Sequence, residues 1–185
     1  FKPFEELFAF PPRFYVVNPT LDNFRDLFIV TANSWVPFSR YVFNSVFVSL
    51  IGTTSHVIVA SLCAYPIAKH EFPGRKGIFN VIQLSLLFNG TVTALPTYII
   101  MSGLGWINTY WSLIIPAIGG AFGMFLMKQF MEGIPTPLLE AARIDGANEW
   151  TIFWKVVMPN VKPAWLTLVI FSFTGLWNST GGSYI

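Results

Sequence analysis

Charge is what this 185-residue chain has least of. Asp, Glu, Lys and Arg make up 11% of it and hydrophobic residues 54%, where an ordinary soluble domain carries about 25% charge. No charged residue falls within 42–68, 77–127 or 163–185, and each gap exceeds the roughly 20 apolar residues that cross a bilayer core. A soluble domain is thereby excluded, and the expected fold class is an all-α, polytopic membrane helix bundle. The net charge of +2 is too small for nucleic-acid binding or a polybasic surface patch. The one cysteine, Cys63, lies inside an apolar stretch, so no intrachain disulfide can form and packing is its expected role. There is no G-x-x-x-x-G-K-[ST] loop to hold a nucleotide. No catalytic residue and no metal ligand is assigned.

What is present is organised by the gaps. Four spans are expected, over about 41–68, 77–101, 111–127 and 163–182. The second and third are divided by "SGLGWINTYW", whose Gly103, Gly105 and Asn108 suit turns and whose Trp106, Tyr110 and Trp111 suit an interfacial belt. Lys69, Arg75 and Lys76 follow the first span, and Lys128, Arg143, Lys155 and Lys162 follow the third, which makes both loops cytoplasmic by the positive-inside rule. Two spans separate them, so the assignment is self-consistent. The domains expected are an external segment, 1–40, with balanced charges, and a transmembrane domain, 41–185, with a cytoplasmic loop at about 128–162. The chain opens on Phe1 and stops within an apolar run, so a fragment of a longer chain is expected.

Several spans hold residues that a lipid-facing helix avoids: Asn44 and His56 in the first, Asn89, Gly90, Thr91, Thr93 and Pro96 in the second, and Asn178 near the end of the fourth. Irregular backbone at membrane depth survives only where protein or a water-filled cavity satisfies it, which makes the second span a candidate cavity wall. Ordinary hydrogen bonding between helices is the competing account. His56 has no Asp or Glu in any span with which to exchange protons, so a neutral, hydrogen-bonded imidazole is expected rather than a relay. The acceptor patterns "NGT" at Asn89 and "NST" at Asn178 lie in or beside apolar segments, where no sugar can be attached.

The polar interruption "EAARIDGANEWTIFWKVVMP", 140–159, reads as two short helices. Thr136 is placed to cap the first, with Pro137 at its first position, and Gly146 to end it in a left-handed turn. Asn148 is placed to cap the second, in which Trp150, Phe153, Trp154 and Val157 form one apolar stripe. Pro159 and Pro163 break the chain before the last span. Three readings stay open on these grounds: a helix lying on the bilayer, a cap on the bundle, or a docking knob for a cytoplasmic partner.

This segment resembles the EAA loop of membrane subunits of bacterial ABC importers, which runs Glu-Ala-Ala, three residues, Gly, nine residues, Ile, one residue, Leu-Pro. Glu140, Ala141, Ala142, Gly146 and Pro159 match in spacing; Val156 and Met158 replace Ile and Leu. "FPGRK" at 72–76, "AFGMFLMKQF" at 121–130, "IPTPLLEAARIDGA" at 134–147 and "LWN" at 176–178 resemble the carbohydrate-uptake branch. The resemblance implies the importer permease fold, with four spans of a usual six in this chain. It implies that Glu140, Ala141, Ala142, Gly146 and Pro159 couple the chain to an ATPase. The partners implied are a second homologous membrane subunit, two cytoplasmic ATP-binding subunits that hold ATP and Mg, an external solute-binding protein and membrane lipid, with no nucleic acid. The chain itself is then no enzyme and needs no cofactor. A sugar or oligosaccharide is the cargo implied, with Asn89, Thr93, Tyr98 and Asn178 as the expected substrate path. An amino acid or osmolyte is the alternative cargo, and a secondary transporter or channel the rival class.

Overall fold

The computed structural model describes residues 2–3, 6, 8, 10–11, 14–32, 37–88 and 90–179. Its regular elements are all helices: α1 Asp22–Ala32, α2 Phe38–Lys69, α3 Arg75–Ser85, α4 Gly90–Gly103, α5 Trp111–Ile118, α6 Ala121–Glu132, α7 Thr136–Ile144, α8 Glu149–Ile152, a π-helical turn at Phe153–Val157, α9 Met158–Asn160 and α10 Lys162–Trp177. The chain forms two compact units, Phe1–Val46 and Phe47–Ile185. In the first, the Glu6 carboxylate accepts from the N–H groups of Val17 and Asn18 at 3.2 Å, and Phe28 meets Phe38 edge-on.

Among the described residues two helices are long and apolar enough to cross a membrane, Phe38–Lys69 and Trp111–Glu132. The bent pair Glu149–Asn160 and Lys162–Trp177, at 79°, makes a third if it counts as one crossing. The region expected as one span over 77–101 is instead two helices, α3 and α4, with a turn at 86–88 and a restart at Gly90. Gly90, where the helix restarts, is a weak helix former, whereas Thr93 and Pro96 lie inside α4 and do not end it. Asn89 lies outside the described residues.

The second unit packs through a stripe on α2 that is small except at His56. Gly52, His56, Ala60, Ala64 and Ala68 recur every fourth residue, and all are buried. Such a stripe lets helix backbones approach closely in a membrane, where apolar side chains gain little by leaving lipid. His56 fills the break between α5 and α6: its Nδ1 donates to the Ile118 carbonyl at 3.1 Å. A carbonyl can only accept, so Nδ1 carries the hydrogen. The break leaves that carbonyl without a helical partner, and His56 supplies one.

At the end of α6 the basic residues of two separate loops meet. Lys128 pairs with Glu132 at 2.7 Å and lies 3.9 Å over the Phe79 ring. Arg75 reaches the same carboxylate at 3.7 Å, and Lys69 donates to the carbonyls of Glu132 and Ile134.

Candidate functional site

Between α6 and α10 the chain folds into the helical elbow anticipated at 136–159. Leu139 is fully buried and fixes α7 to the core, which turns Glu140, Ala141 and Ile144 outward; Ile144 is 86% exposed. α7 begins at Thr136, one residue earlier than expected, so that Pro135 and not Thr136 is its cap residue, and the cap has no side-chain bond. Leu138 N–H donates to the Pro135 carbonyl instead, at 3.1 Å.

The exit of α7 is a Schellman turn. Gly146 sits at φ 83°, its N–H donates to the Arg143 carbonyl, and Ala147 N–H donates to the Ala142 carbonyl, both at 3.0 Å. Only a residue without a Cβ takes this left-handed position at no steric cost. Asn148 then opens α8, its Oδ1 accepting from Thr151 N–H at 2.8 Å.

The apolar stripe is only half as expected. Phe153 and Val157 are buried, together with Ile152 and Val161, whereas Trp150 and Trp154 remain 62% and 48% exposed. Pro159 offers no N–H to the carbonyl four residues back and crowds it. The ladder widens into a π turn over Phe153–Val157, which rotates the helix so that Trp150 and Trp154 leave the face that packs.

The carboxylate of Glu149, absent from the motif, ties the elbow together. Its Oε1 accepts from Arg143 Nε at 2.9 Å and its Oε2 from the Tyr65 hydroxyl at 2.7 Å, with His70 Nε2 at 3.6 Å. Tyr65 is buried near the end of α2 and packs on Phe153, with ring centroids 5.6 Å apart. A cavity of about 260 Å³ opens beside this group, lined by Leu62, Tyr65, Pro66, His70, Glu149, Trp150 and Phe153. Sequence spacing gave no sign of the Tyr65 contact, because its partner lies 84 residues away.

Comparison with known proteins places this geometry. The profile described as "Binding-protein-dependent transport system inner membrane component" matches residues 29–182. The chain belongs to that family. It is 34% identical to Protein LplC of Bacillus subtilis, over 92% of this chain and 54% of that protein. To the polygalacturonan/rhamnogalacturonan transport system permease protein YtcP of the same organism it is 35% identical, over 76% of this chain and 52% of the relative. A crystal structure of a bacterial ABC transporter involved in the import of the acidic polysaccharide alginate superposes with a TM-score of 0.73 at 28% identity, covering 82% of this chain and 53% of that one. The chain spans about half the length of these relatives. The family is one of membrane transport components, and the helices of membrane length accord with it.

Of the family-like loop residues, Glu140 and Ala141 are outward on α7, Ala142 is half-buried and accepts in the turn, Gly146 is the elbow, and Pro159 is exposed beyond the π turn. The expected substrate residues are spread out. Thr93 and Tyr98 are exposed on α4, and Thr93 Oγ1 donates to the Gly90 carbonyl at 3.1 Å. Asn178 caps α10 by donating to the Thr174 carbonyl at 2.9 Å. Asn89 is outside the described residues, and the cavity beside Glu149 is lined by none of these four.

The hydrogen bond from Arg143, then that from Tyr65, holds the Glu149 carboxyl below the usual carboxylate range. With the folded value below the unfolded one, the ion's contribution to stability is complete at neutral pH and disappears only as acid titrates the folded carboxyl. The unfolding midpoints of the wild type and Glu149→Gln in detergent are therefore expected to keep an undiminished gap from pH 7 to about pH 5, and to converge below about pH 4. A gap that closes already between pH 7 and about pH 5 contradicts the assignment.

Proposed function

We propose that this chain is the translocating subunit of an ATP-driven ABC importer that carries a sugar or oligosaccharide into the cytoplasm. The observation that carries the reading is the elbow: a helix anchored by Leu139, turned at Gly146, and presenting Glu140, Ala141 and Ile144 outward. Its spacing is that of the EAA loop, and a relative named for polygalacturonan/rhamnogalacturonan transport supports a saccharide cargo.

In this reading residues 1–40 lie outside and 41–185 form the transmembrane domain, with four of six spans, the second of them broken between α3 and α4. The loop at 128–162 is cytoplasmic, which the convergence of Lys69, Arg75 and Lys128 around Glu132 supports, since it brings two positively charged loops to one end of the bundle. Glu140, Ala141, Ala142, Gly146 and Pro159 dock the loop into an ATP-binding subunit. ATP and Mg are held by two such partners, a second homologous membrane subunit completes the path, and an external binding protein delivers the solute. Closure of the ATPases moves the elbow, and the attached helices rock as rigid bodies. Asn89, Thr93, Tyr98 and Asn178 are proposed for the sugar's path.

A complete importer carrying Glu140→Lys is expected to insert normally yet lose at least about tenfold of its receptor-stimulated ATP hydrolysis, the scale of a broken interfacial charge pair. Undiminished stimulation overturns the docking assignment. A calorimetric screen of the external receptor against saccharides, amino acids and osmolytes decides the cargo, and preference for either of the last two replaces the sugar.

A further inference from the structure

We infer that Tyr65 and Glu149 form the joint through which movement of the elbow reaches the inner end of α2. The inference deepens the proposed coupling role and rests on it. Three elements end at one carboxylate. Arg143 comes from the last turn of α7, Glu149 opens α8, and Tyr65 stands one turn before the end of α2. Both carboxylate oxygens are engaged, one by each donor, at 2.9 and 2.7 Å.

Such a two-sided acceptor makes the angle between α7 and α8 and the position of α2 depend on each other. Arg143 is fixed relative to the turn through its own carbonyl, which accepts from Gly146 N–H. Tyr65 is held on the other side by Phe153 and by the His70 ring, 5.3 Å away edge-on. The hydroxyl is the polar reach of a residue that is otherwise buried, and a phenylalanine there keeps the packing while cutting the link. Tyr65 and Glu149 are positioning residues: they transmit the displacement and touch neither ATP nor cargo.

The experiment needs no knowledge of the cargo. Hydrogen–deuterium exchange is followed by mass spectrometry in the complete importer, with and without ATP, Mg and vanadate, for peptides over 136–160 and 62–72. In the wild type both regions are expected to change when the nucleotide is trapped. In Tyr65→Phe and in Glu149→Gln the change over 136–160 persists, while that over 62–72 falls at least about twofold. The double variant loses no more than the worse single one, as members of one linkage do. A full response over 62–72 in both single variants overturns the joint, as does a wild type in which only 136–160 responds. Glu140→Lys, run in parallel, separates the two claims. If trapping leaves 136–160 unchanged in the wild type, or Glu140→Lys responds as the wild type does, the docking reading fails. If only the Tyr65 and Glu149 variants respond as the wild type does, the joint alone fails.

Discussion

Gly123→Val is expected to abolish accumulation of folded chain in the membrane, and His56→Ala in the same chain to restore it in part. A Cβ at Gly123 falls 2.3 Å from His56 Nε2, 2.9 Å from its Cε1 and 3.0 Å from Leu168 Cδ2. At Gly120 it falls 2.5 Å from His56 Cε1. The imidazole is buried and its Nδ1 is bonded to the Ile118 carbonyl, so yielding to a Cβ costs it that bond and its packing. Overpacking costs about 1–3 kcal/mol where neighbours can shift, and more where they cannot, against a total stability of about 5–15 kcal/mol. Gly123→Ala should therefore lower the yield of monodisperse protein after detergent extraction, and Gly123→Val should remove it. His56→Ala on its own loses the bond to Ile118 and leaves a hole, so it destabilises; combined with Gly123→Val it relieves the clash. The two changes are then far from additive. A Gly123→Val chain that accumulates like the wild type, or that His56→Ala fails to rescue, removes the imidazole from this break.

The same histidine shows what a sequence discloses and what it withholds. With no carboxylate in reach of any span, a hydrogen-bonded imidazole rather than a relay followed from composition alone, and His56 is bonded. Its partner was not legible, because the Ile118 carbonyl is available only where 119–120 interrupts the helix, and a pair of glycines inside an apolar run does not announce which side chain will enter. The elbow was legible for a different reason: its caps act within a few residues. Gly146 and Asn148 do locally what their types predict. The stripe of Trp150, Phe153, Trp154 and Val157 misled because it assumes 3.6 residues per turn throughout, and Pro159 imposes a π turn that rotates half of it away. Glu149 was missed for the opposite reason. In sequence it is an ordinary first-turn acid, and only the fold brings Tyr65 to it.

The elbow also gives a graded test, since Gly146 can be replaced by residues that differ in how well they hold its left-handed backbone. At φ 83° asparagine is tolerated, and Gly146→Asn is expected to retain most receptor-stimulated ATP hydrolysis. Alanine pays about 1–2 kcal/mol for its Cβ in that region, enough to leave a large fraction of chains with the turn opened, so Gly146→Ala should fall between. Its deficit is local to its own backbone, for nothing beyond its chain neighbours lies within 4 Å of the added Cβ. Proline cannot comply. Its ring fixes φ near −65°, and it deletes the N–H that bonds to the Arg143 carbonyl. With the turn open, Arg143 no longer faces Glu149, and α7 and α8 lose their fixed angle. Gly146→Pro is therefore expected to abolish stimulated hydrolysis in the reconstituted importer while leaving the membrane helices inserted, because the turn lies outside α2, α5 and α6. The order Gly, Asn, Ala, Pro, measured as stimulated over basal hydrolysis at equal incorporation, is what a coupling elbow requires. Proline at the level of glycine means that the angle at 146 carries no part of the coupling.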